Sequence, residues 1–207
     1  MDITLKDIGR RFGRDWIFRG VNLHIPAGSH TIITGPNGSG KSTLLMVLTG
    51  FMEASEGSII RSEKGVALEV ADAALKTSIA TPYLELYEDL TLIEMIEFQA
   101  KFRSFVTNLS NSEVIRLMDL EPHANKRISH FSSGMRQRVR LGLTILTDSS
   151  IIALDEPVSN LDRRAIEWYR NLLGEFALNR TVVVSTNHNE DEYLRSDIAF
   201  DVASAKL

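Results

Sequence analysis

One nine-residue stretch constrains this chain more than any other: Gly35-Pro36-Asn37-Gly38-Ser39-Gly40-Lys41-Ser42-Thr43. It fits the spacing G-x-x-x-x-G-K-[ST] in full, and its surroundings are those the spacing requires. Before it, Thr31-Ile32-Ile33-Thr34 is a short β-branched run that reads as a buried strand. After it, Leu44, Leu45, Leu48 and Phe51 recur at helical spacing, with Gly50 placed to end the helix. A glycine-rich turn between strand and helix lets successive backbone N–H groups point inward at an anion. The helix start adds a partial positive charge of roughly half a unit. Lys41 offers a full charge to the outer phosphates of a nucleoside triphosphate, and Ser42 offers a hydroxyl to Mg2+.

Composition narrows the setting. The chain has 207 residues, 43% hydrophobic and 24% charged, which suits one globular domain and excludes fibrous and disordered classes. Acidic residues outnumber basic ones 27 to 23, so charge makes no case for a nucleic-acid partner. There is no cysteine, hence no disulfide, thiolate zinc site or cysteine nucleophile, which fits a reducing cytoplasm. The longest unbroken apolar run, residues 44–48, has five residues, against about 20 for a membrane span. The start of the chain has no basic-then-apolar signal pattern. The expectation is a soluble chain that serves a membrane only through a partner.

Val21, Leu23 and Ile25 alternate with polar residues as in a half-buried strand, and Ile3-Thr4-Leu5 gives a weaker version. Thr91 to Glu94 and Ser110 to Glu113 are capping-box patterns. Met95, Phe98 and Phe102 follow the first, and Val114, Ile115, Leu117 and Met118 the second, so the middle of the chain is expected to be helical. Ile151-Ile152-Ala153-Leu154 and Val182-Val183-Val184 have the pattern of fully buried parallel strands. Strands alternating with helices imply an α/β sheet, with the helical middle as an inserted lobe.

The strand 151–154 ends in Asp155-Glu156-Pro157. Asp155 at a strand tip can hold Mg2+, and Glu156 can polarise an attacking water as general base. A GTPase would carry an N-K-x-D base-reading segment, and this chain has none. Upstream, Phe131-Ser132-Ser133-Gly134-Met135 opens an amphipathic helix that Ser132 can cap, and the N-terminal amides of that helix form a second anion-binding surface.

Together these residues resemble the ATP-binding cassette (ABC) ATPases, the nucleotide-binding subunits of ABC transporters, over almost the whole chain. The resemblance implies one ABC ATPase domain over residues 1–207. Its fold would be that of the P-loop NTPases: a mainly parallel core sheet flanked by helices, an N-terminal antiparallel β subdomain, and a helical lobe inserted over roughly residues 85–145. ATP and Mg2+ are the implied ligands, and Mg-dependent ATP hydrolysis the implied activity. F-S-S-G-M stands where the family has a signature of the L-S-G-G-Q type, so Ser132, Ser133, Gly134 and Met135 are expected to reach the nucleotide of a second subunit. Asp162, in Ser159-Asn160-Leu161-Asp162, looks like the D-loop. Phe12 matches the aromatic that stacks on adenine, with Trp16 as the alternative. The implied partners are a second copy or a paralogue across an ATP sandwich, and a transmembrane permease. The implied location is the cytoplasmic face of the membrane. A slow ATP-gated regulatory module and a soluble, non-transport ABC ATPase are the alternative functions.

Two places depart from the family pattern. The family has a glutamine at the join between sheet and lobe, where this chain has Thr81-Pro82, and Glu85 is the nearby acid that could approach the metal. The switch histidine position is Asn187, with His188 one residue later, so either residue could face the γ-phosphate. His24, His30, His123 and His130 show no partner pattern and are expected at the surface or in turns.

Overall fold

The computed structural model describes residues 1–205. The chain opens with β1 (Asp2–Phe12) and β2 (Asp15–Ile25), an antiparallel pair with Ile3 opposite Ile25 and Leu5 opposite Leu23. Next come β3 (His30–Thr34), α1 (Lys41–Thr49), β4 (Glu56–Glu63), β5 (Val66–Ala67), α2 (Val70–Leu75) and β6 (Thr77–Ala80). The helical middle contains α3 (Leu92–Phe102), α4 (Asn111–Leu117) and α5 (Ser133–Leu146), joined by short 3-10 turns. The chain then returns to β7 (Ile151–Asp155), α6 (Arg163–Phe176), β8 (Thr181–Ser185) and β9 (Ile198–Asp201).

Two sheets result. The first is antiparallel, in the order β2-β1-β4-β5. The second is parallel throughout, in the order β6-β7-β8-β3-β9. This is the α/β fold expected, with an antiparallel N-terminal sheet beside the parallel core. Every residue of β7 and β8 is buried because both faces of the parallel sheet are covered. The alternation of side chains along a strand divides the coverage. Ile33, Ile151, Ala153 and Val183 face Leu44, Leu45 and Leu48 of α1 and the apolar face of the first sheet. Ile32, Ile152, Leu154, Val182 and Val184 face the helical segment and α6, through Leu92, Ile96, Val139, Tyr169 and Leu173.

Local signals placed the helix starts well. Both capping boxes form, with Thr91 accepting from the Glu94 N–H and Ser110 from the Glu113 N–H. Other expectations need correction. Phe51 lies outside α1 and is exposed, because the helix stops at Gly50, whose N–H bonds the Val47 carbonyl at 3.2 Å. The helical middle begins at Leu92 rather than near residue 85, since residues 81–90 form irregular turns. Phe102 sits on α3 but is 70% exposed; it stacks edge-on to Phe98, which meets Tyr87 in the same way. His30 is buried in β3, because it pairs with Val182 of β8 on one side and with Asp197 on the other, its backbone N–H bonding the Asp197 carboxylate at 2.8 Å. Burial, then nearby Arg195, lowers its pKa. His24 is at the surface but has a partner, Asp2, at 2.8 Å.

Candidate functional site: a phosphate cavity at the strand ends

Parallel strands aim their carboxyl ends the same way, and the crevice there is where an open α/β sheet binds ligands. Here β3 runs into the glycine-rich loop, β7 ends at Asp155, and β8 ends at Ser185. They meet at a cavity of about 330 Å3 lined by Asn37, Gly38, Gly40, Lys41, Ser42, Thr43, Asp155 and Glu156, with Ile17, Pro82 and Tyr83 completing the wall.

The loop is shaped by backbone conformation. Gly40, at the N-cap of α1, has φ 106°, and a Cβ there would stand 2.5 Å from the Ile17 methyl. A side chain is therefore excluded twice, by the dihedral and by contact. Lys41 is 5% exposed and folds back along the loop, donating to the carbonyls of Gly35 at 2.9 Å and Pro36 at 3.3 Å. Its Nζ also lies 3.8 Å from Glu156 Oε1. Ser39 is buried with no partner for its hydroxyl among the described residues, and its N–H bonds the Pro36 carbonyl at 3.0 Å.

The opposite wall is built from strand register. Asp155 is directly opposite Ser185 in the parallel ladder, and the Ser185 hydroxyl donates to its carboxylate. Asp155 is 3% exposed, so a buried acid is held on one side by a hydroxyl, with the cavity on the other. Glu156 is half-exposed and adopts a left-handed backbone, φ 45°. That conformation is uncommon for a glutamate, and here it is fixed by its N–H to the Ser185 carbonyl at 3.0 Å. Gln137 of α5 adds a brace, donating to the Pro157 carbonyl at 2.9 Å while buried.

The other expected residues divide. Ser132 caps α5, accepting from the Met135 N–H at 3.2 Å. Ser132 and Ser133 are exposed, Gly134 and Met135 half-buried, and none of the four lines this cavity. A Cβ on Gly134 would meet the Asn160 carbonyl at 3.3 Å, so the turn at Asn160 packs closely against the helix start. Asp162 caps α6 through the Ala165 N–H at 2.8 Å. Phe12 is half-exposed at the end of β1 with the Arg10 guanidinium 4.6 Å from its ring, and Trp16 is flanked by Arg19 and Arg11; neither lines the cavity, whereas Ile17 does. Pro82 enters the cavity wall, Thr81 is buried with its hydroxyl accepting from the Tyr83 N–H, and Glu85 lines a different groove. Asn187 and His188 are both exposed beyond β8, and His188 has φ 59°.

Sequence reasoning missed four participants: Ser185, Gln137, Tyr83 and Glu192. Glu192 is 4% exposed, and its carboxyl is pushed up to about 7, first by burial and then by Glu156 and Asp155, against a bond from Thr186 and the charge of Lys41. No spacing rule points to it, because a short 3-10 turn, Glu190–Glu192, brings it back under β8.

The sequence profile described as ABC transporter matches residues 18–159. The chain is 30% identical over 166 residues to the spermidine/putrescine import ATP-binding protein PotA of Thermotoga maritima, covering 79% of this chain and 45% of that protein. It is 30% identical over 206 residues to a probable sulfate/thiosulfate import ATP-binding protein CysA of Chlorella vulgaris, covering 96% of this chain and 86% of that one. Thus the chain spans about half the length of some relatives and most of another. Its fold superposes with a TM-score of 0.76 on an ATP-binding cassette solved as a dimer in a post-hydrolysis state with ADP and phosphate, at 24% identity, covering 90% of this chain and 88% of that one. On profile and relatives alike, this chain belongs to the ABC transporter family.

Proposed function

We propose that the chain is the ATP-hydrolysing subunit of an ABC transporter, acting as a pair of cassettes beneath a membrane permease. One observation carries the reading: Lys41, Ser42, Asp155 and Glu156, distant in sequence, line a single cavity. The glycine-rich loop and Lys41 bind the phosphates, where Lys41 exchanges its loop carbonyls for phosphate oxygens. Ser42 and Asp155 supply one hydroxyl and one carboxylate on the same wall. That donor set fits Mg2+, which takes few protein ligands and completes its shell with water and phosphate. No cluster of three or more His, Cys, Asp or Glu exists among the described residues, in keeping with such a cation. When bound, Mg2+ would neutralise charge on the phosphates. Glu156, held in its left-handed turn, is placed to accept a proton from the attacking water.

The signature surface, Ser132 to Met135, lies outside this cavity, and so two copies are needed to bring both anion-binding surfaces to one nucleotide. The permease reading draws on a second groove, of about 260 Å3, at the join of sheet and helical segment, lined in part by Phe51, Leu84, Leu86, Met95 and Leu143. Pro82 and Tyr83 touch the phosphate cavity, while Thr81, Leu84, Glu85 and Leu86 touch the groove. One short segment thus reaches both, with exposed Tyr83, Tyr87 and Phe102 nearby in the sequence and on α3. A permease segment docked there would sense the nucleotide through residues 81–86. No described helix is long and apolar enough to cross a membrane, which leaves that role to the partner. The location that follows is the cytoplasmic face of a membrane.

The test is Mg-dependent ATP hydrolysis by the purified chain. Glu156→Gln is expected to lower kcat at least about 100-fold while ATP still binds, and light scattering should show ATP trapping that variant as a dimer. Unchanged turnover in Glu156→Gln would remove Glu156 as the base. A second reading, a slow ATP-gated regulatory module, is favoured by Pro82 and Tyr83 occupying the wall where the family has glutamine. Single-turnover measurements separate the two: hydrolysis slower than dimer dissociation favours the module.

A further inference from the structure

The wall that faces the phosphate loop is short of hydrogen-bond donors. Outside the run from Asn37 to Thr43, the cavity is lined by Ile17, Pro82, Tyr83, Asp155 and Glu156. The side chains of Ile17 and Pro82 offer no donor, and proline has no backbone N–H either. As carboxylates, Asp155 and Glu156 only accept. The Tyr83 hydroxyl is therefore the one side-chain donor that the described residues place on this wall. Two carboxylates facing a polyphosphate repel it, and Lys41 is the one cation among the lining residues. A neutral donor on the acidic side meets a need that the loop, across the cavity, does not.

Backbone geometry holds Tyr83 in place. Ala80 stands opposite Leu154 in the β6–β7 ladder, so Thr81, one residue on, leaves the sheet at the level of Asp155. Thr81 is buried; its hydroxyl accepts from the Tyr83 N–H at 3.0 Å, and its carbonyl accepts from the Leu84 N–H at 3.2 Å. The turn is thus closed twice within four residues, and Pro82 fixes its own φ. The Tyr83 side chain lines the cavity and is 74% exposed, which puts it at the rim. Its backbone N–H is engaged, whereas its hydroxyl makes no bond to a described residue. A tyrosine has two χ angles, so a contact made from a braced backbone costs little side-chain entropy. We propose that the Tyr83 hydroxyl donates a hydrogen bond to the terminal phosphate of the bound nucleoside triphosphate, a contact that the diphosphate product cannot make.

The position of Glu156 selects the terminal phosphate. Lys41 Nζ lies 3.8 Å from Glu156 Oε1, so the outermost phosphate that Lys41 meets stands next to the wall that carries Glu156 and Tyr83. The proposal deepens the reading of the cavity as an ATP-hydrolysing site and rests on it for its kinetic arm. A fixed donor there stabilises charge on the group being transferred, and the contact is lost when that group leaves. Tyr83 accordingly favours triphosphate over diphosphate and raises turnover.

Tyr83→Phe in the full chain removes the hydroxyl and keeps the ring, and Tyr83→Ala removes both. Calorimetric titration with the magnesium complexes of the β,γ-imido analogue of ATP and of ADP gives the first readout. The phosphorus NMR spectrum of the bound analogue gives the second. Tyr83→Phe is expected to weaken the analogue about tenfold and ADP by less than about twofold. It should also move the γ-phosphorus resonance while the α resonance stays, and lower kcat. Tyr83→Ala should match Tyr83→Phe in the ratio of the two affinities. An unchanged affinity for the analogue in Tyr83→Phe, an unmoved γ resonance, or an equal loss for ADP each overturns the proposal. So does a loss seen in Tyr83→Ala alone, the result of ring packing without the hydroxyl. If the wild-type chain binds the analogue but hydrolyses no ATP, the proposed function fails instead, and the affinity ratio and the γ resonance still decide the role of Tyr83. If it binds neither nucleotide, both fall.

Discussion

The two walls of the phosphate cavity are built in different ways. One wall is a single run of residues, from Gly35 to Thr43, between the end of β3 and the first turn of α1. The other is assembled from Asp155 and Glu156 at the end of β7 and from Pro82 and Tyr83, with Ser185 of β8 bonded to Asp155 and Gln137 of α5 to Pro157 behind it. The first wall is local: its glycine conformations and helix dipole need nothing but the chain next door. The second is non-local: Asp155 has its hydroxyl partner only because β7 and β8 pair in one register. A local wall binds; a non-local wall can report, because its parts belong to elements that can shift against one another.

The comparison predicts that variants of the first wall abolish binding, whereas variants of the second tune rate, pH response and stability. The largest effect on binding is expected for Lys41→Ala, which removes the one buried cation of the loop. MgATP affinity should fall on the order of 100-fold, measured by equilibrium titration. A change within threefold would mean that the loop amides alone hold the phosphates, and the local wall would lose its central charge.

Next comes stability in the nucleotide-free protein. The Glu192 pKa is raised from 4.5 to about 7 in the fold. Between those values the native chain holds a proton that the unfolded chain has lost, so stability present below pH 4.5 declines as pH rises through 7. Glutamine cannot titrate. Relative to wild type, Glu192→Gln should therefore gain on the order of 3 kcal/mol between pH 5 and pH 8. Urea melts at the two pH values check this, and a constant difference between the proteins would show that the buried acid does not titrate in that range.

The smallest effect is expected at the brace. Gln137→Ala removes the bond to the Pro157 carbonyl, at a cost of about 1 kcal/mol of stability. It should also lower kcat a few-fold by loosening the turn that carries Glu156, with KM for ATP unchanged. A lowered KM would instead indicate that the brace holds strain against the bound state.

How much was legible follows the same division. Strands with β-branched runs, the two capping boxes, the glycine-rich loop and the Asp155-Glu156 tip all declare themselves within a few residues, and each lies where its pattern predicts. Phe51 misleads because periodicity counts apolar residues without knowing where a helix stops, whereas Phe102 lies on α3 as its spacing predicts and is exposed there. Phe12, read from the sequence as a base platform, stands half-exposed beside Arg10 and outside the phosphate cavity, whose wall Ile17, five residues on, does enter. Glu192 looks like one acid among three exposed ones in Glu190-Asp191-Glu192 until the turn buries it beneath Thr186.

By itself, then, the sequence determined an α/β chain with a phosphate-binding loop and an acidic strand tip, because strand, helix and loop propensities and anion-binding geometry act over a handful of neighbouring residues. Tertiary structure alone decided the order β6-β7-β8-β3-β9, the pairing of Asp155 with Ser185, and the entry of Pro82 and Tyr83 into the cavity. It also decided the burial of Glu192. Those features depend on which strands lie side by side and in what register. That is settled by burying both faces of the sheet at once, a property of the whole chain rather than of any segment.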